Sequence, residues 1–241
     1  MHEQVQEQIE QQIINGTLRS GDRLPSERTL TELLEVSRQS VREALRILES
    51  IGVIEATGTR GADAGWVVSD DTSPALGRLL QLQMALSRFD LTDLMETRIR
   101  LERWAAQLAA ANADEDRIGA AERLVDAMED EALAPRDFNR LDTEFHQVIA
   151  KASGNRLLTS LMQALRDAVE REMVSTVESI DDWEDVVYRL RHEHRALIDA
   201  ISAGDGDEAA DLVETHIREF YKQEMNNFLH PKGEAGAPRR S

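Results

Sequence analysis

Apolar residues along this chain recur mostly at intervals of three and four, the period of an amphipathic helix. Between residues 26 and 54 the pattern is interrupted once, by a short polar break. Leu30, Leu33 and Leu34 predict the inward face of one short helix, with Ser26 as its N-cap and Glu27 in its first turn. Val41, Ala44, Leu45 and Leu48 predict the buried stripe of a second helix, capped by Ser37 and still polar at Ser40. Helix, tight turn and helix is the outline of a helix-turn-helix, whose second helix enters the DNA major groove. The stripe leaves Arg38, Gln39, Arg42 and Arg46 on outward faces near the start of that second helix. Arginine forks suit phosphates and guanine edges, and glutamine suits adenine.

The helical period lapses from Ser69 to Ala75, where Asp70, Asp71, Ser73 and Pro74 predict a linker. It separates a domain of residues 1–68 from a second of residues 76–229. The second domain reads as helical throughout, with helices near 75–88, 90–112, 114–132, 136–152, 155–179, 181–203 and 206–229. Asp90, Asp114, Asp181 and Asp205 stand at the breaks as caps or near-cap acids. The short connections favour antiparallel neighbours in a bundle. The Gly, Pro and Arg-rich segment 230–241 predicts a disordered tail. The fold class is therefore mainly α, a small DNA-binding module followed by an all-α antiparallel bundle.

Charge complicates the picture. The chain of 241 residues carries a net −18, which looks wrong for a DNA binder. Residues 1–68 hold seven Arg, no Lys and eleven acids, a net of −4, so most of the acid lies in the second domain. DNA binding must then rest on a local arginine cluster rather than a broad positive field. Weak non-specific affinity follows, and a homodimer is needed for useful specific affinity. One recognition helix per chain implies a short inverted-repeat operator. Cysteine is absent, which fits a reducing cytoplasm. The N-terminus shows no signal peptide, and no apolar run approaches membrane-spanning length.

Polar residues interrupt the predicted core faces of the second domain. Arg98 sits within the stripe Leu91, Leu94, Leu101, Ala105 and Leu108. Asp142 and His146 lie one turn apart at the border of a face formed by Phe138, Leu141, Phe145 and Ile149. His194 shares a stripe with Trp183, Val187, Leu190, Leu197 and Ile201, while His192 points elsewhere. His216 lies among Ala209, Leu212, Val213, Ile217 and Phe220. Burying such groups is costly unless they are paired or ligate a metal. Asp142, His146, His194 and His216 make a reasonable site for one divalent ion: zinc, nickel, manganese or iron. A satisfied core histidine is the bland alternative for any one of them, and four together weaken it. An open metal site in a bundle could also activate water. No separate general base is visible, the paired Glu-x-x-His motifs of di-iron bundles are missing, and the fused DNA-binding module argues against an enzyme. A third reading keeps regulation, makes the metal purely structural and places the effector elsewhere.

The run Gly21-Asp-Arg-Leu-Pro-Ser-Glu-Arg28, with Val36-Ser-Arg38 and Val41-Arg-Glu-Ala-Leu-Arg46, resembles the GntR family of bacterial transcription regulators. The resemblance implies an N-terminal winged helix of three helices and a small β-wing. Val53–Ala56 and Gly65–Val68 would be its strands, and Thr57–Ala64 its tip. By motif, Arg28, Ser37, Arg38, Gln39, Ser40 and Arg42 match operator-contacting positions, and Arg60 and Gly61 match the wing tip more loosely. Asp142-Thr-Glu-Phe-His146, Glu193-His-Arg-Ala-Leu-Ile-Asp-Ala200 and His216 resemble the metal-binding pattern of the FCD domain, which marks the FadR-type subfamily. Glu96-Thr-Arg98 with Leu101-Glu102, and Gly154-Asn155, match further segments of that domain. The resemblance implies one divalent metal, most often zinc, in a cavity that also takes a small organic acid, with Arg98 facing it. Within the subfamily, Asp137–His146 and Leu161–Arg166 are most similar to the L-lactate-responsive regulators of actinobacteria. The expected function is a repressor controlled by lactate or a similar acid.

Overall fold

The computed structural model of the chain describes residues 1–58, 65–112 and 115–222. They fall into two compact units, Met1–Leu80 and Gln81–Ser241.

The first unit opens with α1 (His2–Ile14), which buries Val5 and Ile9. Helix α2 (Glu27–Leu34) starts where Ser26 Oγ accepts the Thr29 amide at 3.1 Å. It ends at Glu35, whose φ of 51° is left-handed and reverses the chain. Helix α3 (Arg38–Ser50) starts where Ser37 Oγ accepts the Ser40 amide at 3.1 Å. Both serine caps satisfy amides that a helix start leaves without partners. Strands β1 (Ile54–Thr57) and β2 (Gly65–Val68) pair antiparallel, Ile54 opposite Val68. The segment through Arg23 bridges to the free edge of β2 at Val67. Val41, Ala44, Leu45 and Leu48 of α3 are buried against α1, α2 and β1. Each such leucine contributes roughly 1.5–3 kcal/mol by leaving water.

Two expectations need correction here. Leu33 is 66% exposed: α2 is too short to bury more than one face, and Leu30 and Leu34 occupy it. The segment 69–75, expected as linker, contains the first residues of α4 (Ser73–Ala85). Asp71 Oδ1 accepts both the amide and the hydroxyl of Ser73, at 2.8 and 2.5 Å, and Pro74 stands in the first turn, where its fixed φ suits a helix. Signals that read as linker were a helix start. Gly52 lies under that turn with φ +74°, and a Cβ there would come within 2.9 Å of Ala75 Cβ.

The second unit contains α5 (Leu91–Asn112), α6 (Glu115–Met128), α7 (Pro135–Ala152), α8 (Arg156–Glu178), α9 (Trp183–Ser202) and α10 (Gly206–Phe220). The expected helices all form, with ends moved by a few residues. Helix α6 stops at Met128, and Asp130 Oδ1 accepts the Ala132 amide in the turn beyond it. Asp90 and Asp205 cap α5 and α10 through their side chains. The expected cap Asp114, the end of the last helix at 223–229 and the tail 230–241 lie outside the described residues. Neighbours in sequence pack together as α6 on α7, α7 on α8 and α9 on α10, while α5 meets α7, α8, α9 and α10. Phe138, Phe145, Leu197, Ile201 and Ile217 form the middle of the core. This arrangement brings α5, α7, α9 and α10 to one place, where the polar residues of their stripes meet.

Candidate metal centre, adjoining cavity and DNA-contacting helix

Asp142 and His146 project from successive turns of α7, His194 from α9 and His216 from α10. One ligand-type atom from each of the four lies within 4.8 Å of the others. Asp142 Oδ1 is 2.9 Å from His194 Nε2, 3.6 Å from His146 Nε2 and 3.9 Å from His216 Nε2. The 2.9 Å contact is close but not aligned as a hydrogen bond. His146 Nε2 and His194 Nε2 are fully buried, and neither has a hydrogen-bond partner among the described residues. Orphaned buried nitrogens are rare and ask for a partner.

Two carboxylates fix the ring orientations from behind. Glu102 Oε2 lies 2.7 Å from His146 Nδ1, and Glu193 Oε2 lies 2.7 Å from His216 Nδ1. Each leaves Nε2 turned towards Asp142, the arrangement by which a carboxylate sets the tautomer of a ligating histidine. Burial pushes His194 down to about 4, with Asp142 opposing and His216 and His146 adding to the shift, so its imidazole is neutral at pH 7. Burial works against ionisation of Asp142, but His146 and His194 outweigh it and hold the carboxyl well below its usual range. Neutral imidazole nitrogens and one carboxylate oxygen are the donor set of a borderline divalent cation such as zinc.

Glu102 also gathers the arginines. Its Oε1 accepts from Arg98 Nε at 2.8 Å and from Arg166 Nη2 at 2.9 Å. All three side chains are at least nine-tenths buried. Burial opposes the charge on Glu102, yet His146, Arg166 and Arg98 together keep it well below the usual carboxylate range. Burial likewise opposes the charge on Arg98, and Glu102 more than restores it. Arg98 Nη1 reaches Tyr221 Oη at 3.4 Å. Arg98, Asn139, Asp142, His216 and Tyr221 are polar points on the wall of a small, partly enclosed cavity, otherwise lined by apolar and aromatic side chains such as Phe138, Trp183 and Phe220. A mostly apolar cavity with a few converging polar groups is the usual form of a small-molecule site.

In the first unit, Arg28, Ser37, Arg38, Gln39 and Arg42 are exposed, and Ser40 is half-buried. Ser37 and Ser40 are engaged in capping α3, with their hydroxyls 2.9 Å apart. Arg28 Nε pairs with Glu32 at 2.9 Å, and Arg42 Nε with Glu27 at 2.8 Å. Arg60 and Gly61 lie outside the described residues. The sequence reading assigned no role to Glu102, Glu193 or Arg166. The signals available for Glu102 were its place in a segment that resembles the FCD domain and its position four residues after Arg98 on a buried stripe, where an ion pair forms along a helix.

The comparisons with known proteins agree with both halves. The model for bacterial regulatory proteins of the gntR family matches residues 1–63, and that for the FCD domain matches residues 93–219, more than half the chain. The chain belongs to the FCD-bearing GntR regulators. The HTH-type transcriptional repressor NanR of Enterobacter sp. is 30% identical over 223 residues, 90% of this chain and 82% of that protein. A putative L-lactate dehydrogenase operon regulatory protein of Escherichia coli is 29% identical over 231 residues, 95% of this chain and 87% of that protein. Among solved structures, a GntR protein of Streptococcus agalactiae matches with a TM-score of 0.61 and 26% identity, over 92% of this chain and all of the other. This GntR-family chain is thus a DNA-binding transcription regulator and not an enzyme. No helix of the described residues is long and apolar enough to cross a membrane.

Proposed function

We propose that this regulator is a homodimeric repressor, released from an inverted-repeat operator when a small carboxylate binds beside a divalent metal, zinc first among the candidates. The observation that carries the reading is the meeting of Asp142 and three histidines, two with orphaned Nε2 atoms, at the wall of a cavity that also holds buried Arg98. The names of two relatives, a repressor and a putative lactate operon regulator, support repression and lactate as the first acid to test.

Asp142, His146, His194 and His216 would hold the ion, which when bound supplies a Lewis-acid attachment for a carboxylate and a neighbouring hydroxyl. Arg98 holds the second carboxylate oxygen through a charge-assisted bond. Asp142 and His216 line the cavity, so the cluster has a side open to a ligand; that favours this reading over a purely structural ion. The acid must bind one arrangement of the DNA-binding units better than another, because a ligand without such a preference shifts nothing.

Arg98→Met should fold, bind operator and lose the response to the acid. Its ion partner Glu102 keeps Arg166 and His146, so truncation strands no carboxylate. Calorimetric titration with lactate decides, and wild-type affinity in the variant would exclude Arg98 from the site. On the DNA side, Arg38→Ala and Arg42→Ala should each weaken operator binding. The loss is about 1–3 kcal/mol where the side chain reads a base edge, and uniform across sequences where it meets a phosphate. Fluorescence anisotropy on operator and scrambled DNA separates the two outcomes. Unchanged affinity in both variants would remove α3 as the recognition helix.

A further inference from the structure

An ion pair on the surface of the first unit joins the two helices of the helix-turn-helix. Glu27, in the first turn of α2, accepts from Arg42 Nε of α3 at 2.8 Å, across 15 positions of sequence. The Glu27 side chain is 35% exposed and that of Arg42 is 63% exposed. The pair differs from Arg28–Glu32, which lies along a single helix and is more exposed at both ends.

Glu27 is a fixed anchor. Ser26 caps the helix just before it, and Thr31 Oγ1 donates to its carbonyl oxygen at 2.7 Å. Buried Leu30 then holds α2 against α3. Arg42 stands one turn beyond Arg38 on the exposed side of α3.

Stability does not account for this pair, because exposed ion pairs add little to folding. For DNA binding, an acid beside the recognition helix is a handicap. It repels phosphates, and residues 1–68 already carry a net of −4. What the pair supplies is geometry. An unheld arginine side chain samples many rotamers and loses that freedom when it binds. The bond to Glu27 uses Nε, on the side of the guanidinium, and leaves the outer Nη1–Nη2 edge to another acceptor. Such a fork meets O6 and N7 of guanine together.

We infer that Glu27 is a positioning residue for operator recognition: it holds Arg42 with the Nη1–Nη2 edge turned to a base edge, guanine by its fit, in the major groove. The inference rests on the reading of α3 as the recognition helix.

The test uses the full-length protein, an operator duplex selected by that protein from a random pool, and a scrambled duplex of the same composition. Fluorescence anisotropy gives the ratio of the two affinities. Loss of one negative charge strengthens binding to both duplexes, so the ratio cancels it. Glu27→Ala should lower the ratio by about fivefold, the scale of releasing one rotamer-rich side chain. Glu27→Asp keeps the charge but shortens the reach, and should fall with it. Glu27→Gln removes the charge but keeps an oxygen for Arg42 Nε, and should stay within about twofold of wild type. In an Arg42→Ala background, Glu27→Ala should change the ratio no further. The melting temperature should be unchanged in Glu27→Asp and Glu27→Gln, which keeps folding out of that comparison. An unchanged ratio in Glu27→Asp, or equal losses in Glu27→Asp and Glu27→Gln, would overturn the inference. So would a further loss in the Arg42→Ala background, which would put Glu27 itself against DNA. An Arg42→Ala loss equal on both duplexes would put Arg42 on a phosphate and overturn it as well. These outcomes leave α3 as the recognition helix. Unchanged operator affinity in both Arg38→Ala and Arg42→Ala would overturn that reading, and this inference with it.

Discussion

Glu102→Leu should unfold the second unit, or bring it close to unfolding, while the winged helix retains its structure. Glu102 is 2% exposed and accepts from Arg98, Arg166 and His146 at 2.7–2.9 Å. Leucine fills the volume but leaves two guanidinium groups and an imidazole N–H buried without their acceptor. Removing one side of a buried ion pair costs about 3–5 kcal/mol. Here one residue serves two cations, so the upper end of that range applies. Against a typical stability of about 5–15 kcal/mol, the loss is large. Glu102→Gln keeps the shape and one acceptor oxygen, and should lose less. Urea denaturation followed by circular dichroism measures both variants. A loss below about 1 kcal/mol in Glu102→Leu would show that Arg98 and Arg166 find other partners.

His194→Asn should abolish stoichiometric metal binding, and with it the response to carboxylates. His194 is fully buried between Phe138 and Phe145, with ring centroids at 6.1 and 5.0 Å, so asparagine limits the void that alanine would leave. His192, two residues away on α9, is exposed and packs edge-on against Tyr188 at 4.5 Å. His192→Ala should therefore keep one ion per chain. Elemental analysis of protein purified without chelator, with thermal melts before and after chelation, gives the answer. Bound metal stabilises the folded state by mass action, so wild type should melt lower after chelation and His194→Asn should not change. Equal metal content in wild type and His194→Asn would remove the four-residue centre.

Much of this architecture could be read from the sequence because its signals are local. The serine caps at Ser26 and Ser37, and the stripe Val41, Ala44, Leu45 and Leu48, depend only on neighbours within a turn or two. The i, i+4 pair of Asp142 and His146 is equally local, and the inward positions of His194 and His216 follow from helical period. Arg98 could be placed on a core stripe for the same reason. What supports these residues could not be read in the same way. Glu102 meets His146 across 44 positions and Arg166 across 64, and Glu193 meets His216 across 23. Those pairings depend on how α5, α7, α8, α9 and α10 pack, which periodicity does not specify. Local signals also misled: Leu33 has helical spacing yet is exposed, and Asp71, Ser73 and Pro74 are as fit to begin a helix as to fill a linker. The sequence reading did not foresee that Arg28 of α2 and Arg42 of α3 are paired with Glu32 and Glu27. Those exposed pairs contribute little to stability.

The most direct test of metal-dependent control is operator binding measured by fluorescence anisotropy, with zinc-loaded and chelator-treated protein, each titrated with a panel of small carboxylates, lactate first. The account predicts that at least one of these acids weakens operator binding by about tenfold or more with zinc present, and that chelation removes the effect while operator binding itself persists. An acid response of the same size after chelation, or no response to any acid of the panel with the metal bound, would contradict it.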